Sequence, residues 1–241
     1  MATLRSLLAW ASLVLFVTKL GLFLVLAVVL SLGRAREPVV HVLMPLFAGV
    51  GLRLLGVRAE VSGWEHIEPR RPRILVLNHT SILDLFLFSL LNPPSPCPVG
   101  KAELRWAFPL NLALWGAGSI FLERKDRTRA VASLRRAADE IRDQARTAMI
   151  SPEGTRSPDG RLGPFKHGPF HLSQQAGAEI VPVVMHGAWE LCPPGSFTVR
   201  PGTVRIEIMP PLPPSTDPAA DAEALRARYL EWLGEAPPLG E

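Results

Sequence analysis

The segment Asn78-His79-Thr80-Ser81-Ile82-Leu83-Asp84 carries the two side chains best suited to proton transfer. His79 and Asp84 are five residues apart, where an apolar run that predicts a strand gives way to one that predicts a helix. A carboxylate that accepts from one imidazole nitrogen fixes the tautomer and leaves the other nitrogen free to take a proton from a hydroxyl. The pair could therefore activate a substrate hydroxyl, although a histidine near an aspartate is also a common structural contact.

A second polar segment, Ser151-Pro152-Glu153-Gly154-Thr155-Arg156-Ser157, follows a predicted strand that ends at Ile150. Loops at strand ends are where α/β sheets bind ligands. Gly154 allows a tight turn, and Arg156 offers a planar fork suited to phosphate. Glu153 could accept from a substrate hydroxyl or simply orient the arginine, so a structural turn remains an alternative.

A third segment, Gly118-Ser119-Ile120-Phe121-Leu122-Glu123-Arg124, places an arginine just past another predicted strand. A phosphate could be bound at this sheet edge, because ligands of α/β sheets bind outside the strand ends. A solvated basic turn is the alternative.

Short β-like runs alternate with helical ones after residue 57. Strands are predicted at 73–77, 119–122, 147–150, 180–184 and 204–209, and helices at 82–91, 127–146 and 219–233, with short helices interrupted at Pro109 between 101 and 115. The alternation predicts one α/β domain with a mixed, mostly parallel central sheet flanked by helices. Pro182 inside its run predicts a strand edge or a bulge.

The N-terminus is apolar enough to enter a membrane. Between Ser6 and Leu32 the only charge is Lys19, and as a helix this run would be about 40 Å long, against roughly 30 Å of bilayer hydrocarbon. Lys19 near the middle disfavours spanning, so a tilted spanning helix and two shorter helices in one leaflet both stay open. For the less continuous stretch 38–57, an interfacial or packing helix is favoured over the alternative of a second span.

Charge and composition define the expected organisation. Basic residues are more frequent after the apolar run than before it, which predicts that the following domain faces the cytoplasm: Arg34, Arg36, Arg53 and Arg58 against Arg5. The chain is 48% hydrophobic with a net charge of +4, which fits an anionic membrane or substrate. It has no nucleic-acid motif, no G-x-S-x-G elbow and no dinucleotide fingerprint. We expect a membrane anchor at 1–57, a globular domain at 58–235 and a tail at 236–241.

These segments together resemble the glycerolipid acyltransferases. His79 and Asp84 match the HX4D motif of that family, with Asn78 also typical. Three further segments resemble the family's second, third and fourth blocks and follow in the family's order. They are Gly118 to Arg124, PEGTR at Pro152 to Arg156, and Ile180 to Val184 with Pro182. The family's K-x-E-L segment is resembled by 101–104, and residues 157–168 are similar to the 1-acylglycerol-3-phosphate acyltransferases. Ser151 departs from the pattern, because an aromatic residue is common before PEGTR.

The resemblance implies a role for each matching residue. His79 would be the general base on the acceptor hydroxyl, oriented by Asp84, and Arg124 and Arg156 would bind the phosphate of a lysophospholipid. The implied substrate-binding set also contains Gly118, Glu153, Gly154, Thr155 and, as a weaker candidate, Lys101.

The implied reaction moves a fatty acyl group from acyl-CoA or acyl carrier protein to the sn-2 hydroxyl of lysophosphatidic acid, giving phosphatidic acid in phospholipid biosynthesis. It requires no metal, no other cofactor and no covalent enzyme intermediate, and its partners are membrane lipids and the acyl donor. Another lysophospholipid or an acylated amino-acid lipid as acceptor, and a non-catalytic membrane lipid-binding protein, are the alternatives.

Overall fold

A seven-stranded sheet forms the centre of the molecule. The computed structural model describes residues 2–31, 36–67, 71–108, 110–124 and 126–235. The strand order is β1-β7-β6-β2-β5-β3-β4. The strands are β1 (Val57–Ser62), β2 (Arg73–Leu77), β3 (Pro96–Lys101), β4 (Ile120–Leu122), β5 (Thr147–Ile150), β6 (Glu179–His186) and β7 (Gly202–Ile208).

The sheet is mixed and mostly parallel, as predicted. Strands β6, β2, β5, β3 and β4 run in one direction. Strand β7 is antiparallel to β6, and β1 pairs with β7 in parallel. The carboxyl ends of the five parallel strands therefore lie along one edge of the sheet, the edge at which such sheets bind ligands.

Helices cover both faces of the sheet. They are α1 (Ala2–Leu30), α2 (Arg36–Leu55), α3 (Asp84–Leu91), α4 (Leu110–Gly116), α5 (Arg127–Asp143), α6 (Gly168–Ala176), α7 (Ala188–Leu191) and α8 (Pro218–Leu233), with short 3-10 helices at Trp64–His66 and Ala102–Trp106. Successive strand residues point to opposite faces. In β2, Leu75 and Leu77 join the core formed with α2 and α3, whereas Ile74 and Val76 join the core formed with α5, α6 and α8.

The N-terminal segment forms two helices. Its second helix, α2, is a packing helix, because Phe47, Ala48 and Leu52 are buried in the core. Within the residues that the structure describes, we find no helix whose length and apolarity suffice to cross a membrane.

Strand β1 and helices α6 and α7 were not predicted from the sequence, and three further differences have a local physical cause. Helix α3 begins at Asp84 rather than Ile82, because the Ser81 hydroxyl accepts from the Leu83 N–H (3.1 Å) and holds a turn there. Strand β3 was not predicted, since prolines at 96 and 98 disfavour a strand. The edge position predicted for Pro182 is wrong. Strand β6 is internal, and Pro182 sits where β7 has ended, its carbonyl accepting from the Met209 N–H.

Some predictions fall outside the described residues. These are the helix interruption at Pro109, the basic residue Arg34 and the tail at 236–241.

Candidate active site

His79 and Asp84 form a hydrogen-bonded pair directly beyond the carboxyl end of β2. The Nδ1 atom of His79 lies 2.6 Å from Oδ2 of Asp84. A carboxylate only accepts, so Nδ1 carries the proton and Nε2 is left as the acceptor. The imidazole is 28% exposed while the carboxylate is fully buried. The ring is therefore accessible to a substrate, and its orientation is fixed from inside the protein.

Asp84 also organises the backbone that leads into α3. Its Oδ2 atom accepts from the N–H groups of Thr80 (2.8 Å) and Ser81 (2.9 Å). The Ser81 hydroxyl in turn donates to the Cys192 carbonyl at 2.6 Å, which ties this turn to the loop after α7. Asn78, at the end of β2, exchanges two hydrogen bonds with the backbone of Met185 in β6. The aspartate thus orients His79 and shapes the turn that carries it.

Glu153 connects the loop after β5 to the backbone of His79. Its Oε1 atom accepts from the His79 N–H (2.8 Å) and its Oε2 atom from the Gly163 N–H (3.0 Å). The carbonyl of His79 accepts from the Ser157 N–H at 2.8 Å. Burial raises the pKa of Glu153, although the two N–H donors act in the opposite direction. Its contacts position the His79 backbone, and neither involves Arg156.

Gly154 forms the point at which two cations meet. It has a φ of 71°, and its carbonyl accepts from Nη1 of Arg124 at 3.1 Å. A methyl group added at Gly154 would lie 2.9 Å from Nζ of Lys166 and 3.2 Å from Nη1 of Arg124. Glycine is needed here for both the positive φ and the close approach.

Three other predicted binding residues, Lys101, Thr155 and Arg156, lie on the same edge of the sheet as His79 or on the loop that carries Glu153. Lys101 ends β3 and pairs in register with Leu122 of β4, so it lies at the same sheet edge as His79. Thr155 and Arg156 are exposed on the same loop as Glu153. The charge of Arg156 acts on Cys192, whose pKa is raised by burial and lowered by this arginine.

Gly118 is not brought to this edge. Its carbonyl accepts from Nη2 of Arg146 at 2.9 Å, and the same Nη2 donates to the Pro96 carbonyl. Arg146 immediately precedes β5, and Pro96 begins β3. Gly118 therefore lies at the amino ends of the parallel strands, on the side of the sheet opposite His79.

Two residues near the site were not predicted from sequence. Lys166 reaches Gly154 because its N–H donates to the Pro152 carbonyl (2.8 Å), and Tyr229 of α8 hydrogen-bonds β2 near its carboxyl end. The similarity of residues 157–168 to the acyltransferases could have indicated that Lys166 lies near the site. No local pattern marked Tyr229.

The chain matches a protein-family model with this architecture. Residues 58–186 match the model described as Acyltransferase, and the match contains the His79–Asp84 pair, the Glu153 loop and β6. The chain belongs to the acyltransferase family. The resemblance inferred from the four sequence blocks is thereby confirmed.

Relatives in this acyltransferase family carry a consistent name. The chain is 36% identical over 175 residues to human 1-acyl-sn-glycerol-3-phosphate acyltransferase alpha, which covers 73% of this chain and 62% of the human protein. It is 32% identical over 161 residues to the Saccharomyces cerevisiae 1-acyl-sn-glycerol-3-phosphate acyltransferase, covering 66% of this chain and 53% of that protein. The chain thus spans less than two thirds of the length of these relatives.

A solved acyltransferase has the same fold. The crystal structure of the 1-acyl-sn-glycerophosphate (LPA) acyltransferase PlsC from Thermotoga maritima superposes with a TM-score of 0.77 at 25% identity, covering 97% of this chain and 94% of that one. The similarity therefore includes the N-terminal helices as well as the sheet.

Proposed function

We propose that this protein transfers a fatty acyl group from an acyl thioester to the sn-2 hydroxyl of lysophosphatidic acid, giving phosphatidic acid. The observation that carries the proposal is the His79–Asp84 hydrogen bond at the ligand-binding edge of the sheet, in a chain of the acyltransferase family. The names of the relatives support lysophosphatidate as the acceptor.

The pair performs the proton transfers of this reaction. Nε2 of His79 takes the proton of the acceptor hydroxyl as its oxygen attacks the thioester carbonyl, and the Asp84 carboxylate stabilises the imidazolium that forms. The C–S bond then breaks, the thiolate leaves, and the imidazolium returns the proton to it. The acceptor supplies the nucleophile, so no enzyme ester is formed and no cofactor is used.

The phosphate of the acceptor binds at the cationic edge beside this pair. Arg124, Arg156 and Lys101 come from the ends or following loops of three neighbouring strands, β4, β5 and β3. Guanidinium groups bind phosphate through charge-assisted hydrogen bonds. Glu153, Gly154 and Thr155 shape the loop between these cations. Gly118 has no part in this site, because it lies at the opposite edge.

A partly open, mostly apolar pocket lies between α1 and α4. Its volume is about 680 Å³, and it is lined by Val25, Val29, Arg105, Asn111, Leu112, Trp115, Ser119 and Phe121. Mostly apolar walls favour a hydrocarbon chain over water.

The protein works at a membrane surface, with α1 as the attachment element and the sheet domain on the cytoplasmic side. Many large apolar side chains of α1 face outward, among them Leu8, Leu15, Leu22 and Phe23. A helix with such a face binds to the boundary between head groups and acyl chains. Arg53, in the last turn of α2, and Arg58, in β1, support the cytoplasmic side.

The test is acyl transfer by the purified, detergent-solubilised protein with labelled acyl-CoA, acyl carrier protein and lysophosphatidate. Wild type makes phosphatidate, whereas His79→Ala loses several orders of magnitude in kcat, because proton transfer and nucleophile activation are both removed. Arg135→Ala, which removes an exposed charge from α5, is the matched control. Equal activity of wild type and His79→Ala would exclude His79 as the base.

The acceptor is tested separately. Lysophosphatidate, other lysophospholipids, an acylated amino-acid lipid and monoacylglycerol are compared as acceptors. A preference for the phosphomonoester supports the assignment, and a preference for another lipid would replace it. Binding without turnover on any acceptor or donor would favour a lipid-binding protein.

A further inference from the structure

Lys166 is held beside the Gly154 turn by the backbone. Its N–H donates to the Pro152 carbonyl at 2.8 Å, two residues before the glycine. The ammonium group extends over Gly154, where it would lie 2.9 Å from an added methyl group. Both the chain and the tip of Lys166 therefore follow the loop that also carries Glu153.

Arg124 reaches the same point from β4. Its Nη1 atom donates to the Gly154 carbonyl at 3.1 Å and would lie 3.2 Å from the same added methyl group. Its N–H donates to Oε1 of Glu123 at 2.8 Å, which fixes the backbone at the start of the side chain. Two cations from separate parts of the chain thus converge on a space that glycine leaves open.

Within the described ranges, neither Arg124 nor Lys166 forms an ion pair with an acidic side chain. The neighbouring carboxylate, Glu153, is turned inward to the N–H groups of His79 and Gly163. Two like charges held together repel each other, and an anion bound between them removes that repulsion.

We infer that Lys166 and Arg124 together bind a phosphate group of a substrate over Gly154. The inference rests on the proposed function and adds Lys166 to the residues that contact substrate. Arginine supplies a planar fork and lysine a mobile point charge, a combination suited to phosphate oxygens. The phosphomonoester of the acceptor and a phosphate of the acyl donor have the same chemistry, and kinetics separate the two sources.

The kinetic experiment compares wild type with Lys166→Met, which keeps the chain length without the charge, and with Lys166→Arg. Michaelis constants are measured for lysophosphatidate at saturating acyl-CoA and for acyl-CoA at saturating lysophosphatidate. Loss of one charge-assisted hydrogen bond raises one of these constants roughly 10- to 100-fold, and Lys166→Arg recovers most of the loss. Arg135→Ala controls for the removal of an exposed positive charge.

Each outcome of the kinetic experiment is decisive. A raised constant for lysophosphatidate, with monoacylglycerol unaffected, supports the site and assigns it to the acceptor. A raised constant for acyl-CoA supports the site and assigns it to the donor. If both constants stay within about twofold of the Arg135→Ala values, a change too small for a lost charge-assisted hydrogen bond, the inference is overturned.

A binding experiment keeps the inference separate from the catalytic proposal. Binding of lysophosphatidate, monoacylglycerol and acyl-CoA is measured for two proteins, His79→Ala and the double variant His79→Ala/Lys166→Met. This measurement does not depend on turnover. Loss of affinity for a phosphate-bearing ligand, but not for monoacylglycerol, supports the site even if no acyl transfer is found. Unchanged affinity for all three ligands overturns it.

Discussion

The role proposed for His79 depends on one carboxylate oxygen. Oδ2 of Asp84 accepts from the imidazole and from two backbone N–H groups, so the same atom sets the tautomer of the proposed base and the shape of the turn. A substitution that keeps an oxygen at this position but removes its charge separates these two roles.

Asp84→Asn is expected to lower kcat roughly 10³- to 10⁴-fold, because a neutral amide does not stabilise the imidazolium that forms on His79. The amide oxygen still accepts from the N–H groups of Thr80 and Ser81, so the thermal unfolding temperature stays within a few degrees of that of wild type. Steady-state kinetics and circular dichroism melting are the measurements. Near-normal kcat in the Asp84→Asn variant would show that orientation of His79 does not require the carboxylate charge.

Glu153 predicts a pH dependence of stability. Burial raises its pKa, so the native state binds the proton more tightly than the unfolded chain. Its contribution to the free energy of unfolding therefore decreases as pH rises from the ordinary range of a glutamate through the raised pKa. Glu153→Gln removes this dependence.

In the Glu153→Gln variant, the side-chain NH2 group replaces one of the two carboxylate oxygens and cannot accept from the N–H group that faces it. The loss of this hydrogen bond lowers the free energy of unfolding by about 1–3 kcal/mol. We expect wild type to be the more stable protein, with a gap that narrows as pH rises. Urea unfolding of both proteins at several pH values measures the gap. A gap that is constant with pH would contradict the raised pKa.

At the scale of elements, α8 completes the hydrogen bonding of the sheet beneath the site. The Tyr229 hydroxyl donates to the Val76 carbonyl (2.6 Å) and accepts from the Val183 N–H (2.9 Å). It thus links β2 to β6 close to the point where β2 leads into His79. Tyr229 is fully buried, and burial raises its pKa, so the hydroxyl keeps its proton.

Tyr229→Phe is expected to leave a buried carbonyl and a buried N–H without partners and to lower the free energy of unfolding by roughly 1–3 kcal/mol. The ring contacts with Phe165 and Trp232 stay, so the loss reports the hydroxyl alone. Denaturant unfolding measures the loss of stability. The kcat values of wild type and Tyr229→Phe are also compared, because β2 leads into His79. Unchanged stability would mean that β2 and β6 close into a direct hydrogen bond.

The same elements explain what the sequence could predict. Strands β2 and β5 are continuous apolar runs, and their predicted bounds agree with the structure. Strand β3 contains two prolines and β1 alternates with charges, so neither has that pattern. The five-residue spacing predicted His79 and Asp84 as a pair. Tyr229 reaches the site through contacts between distant parts of the chain, which no local pattern encodes, whereas Lys166 lies in the segment 157–168 whose similarity to the acyltransferases was visible in the sequence.

At the scale of the whole molecule, α1 has an inner and an outer side. Its inner side is tied to the rest of the protein, because Nε1 of Trp10 donates to the Phe197 carbonyl (2.7 Å) and Gly21 lies against Leu112 of α4. On the outer side, Leu8, Leu15 and Leu22 recur every seven residues and are more than half exposed. A seven-residue spacing keeps side chains on one face of a helix. The outer side of α1 thus carries an apolar stripe on the surface of the protein.

Replacing Leu15, Leu22 and Phe23 with glutamine is expected to weaken binding to phospholipid vesicles at least about tenfold, because each buried apolar side chain contributes roughly 1.5–3 kcal/mol. These side chains are 57%, 56% and 58% exposed, so the fold is kept, and activity on detergent-dispersed lysophosphatidate stays near the wild-type value. Activity on vesicle-embedded lysophosphatidate falls with binding. Val131→Gln on α5, where the side chain is 59% exposed, is the matched control. If the triple variant binds vesicles as tightly as Val131→Gln does, α1 is not the attachment element, and another surface must bring the acyltransferase site to its lipid.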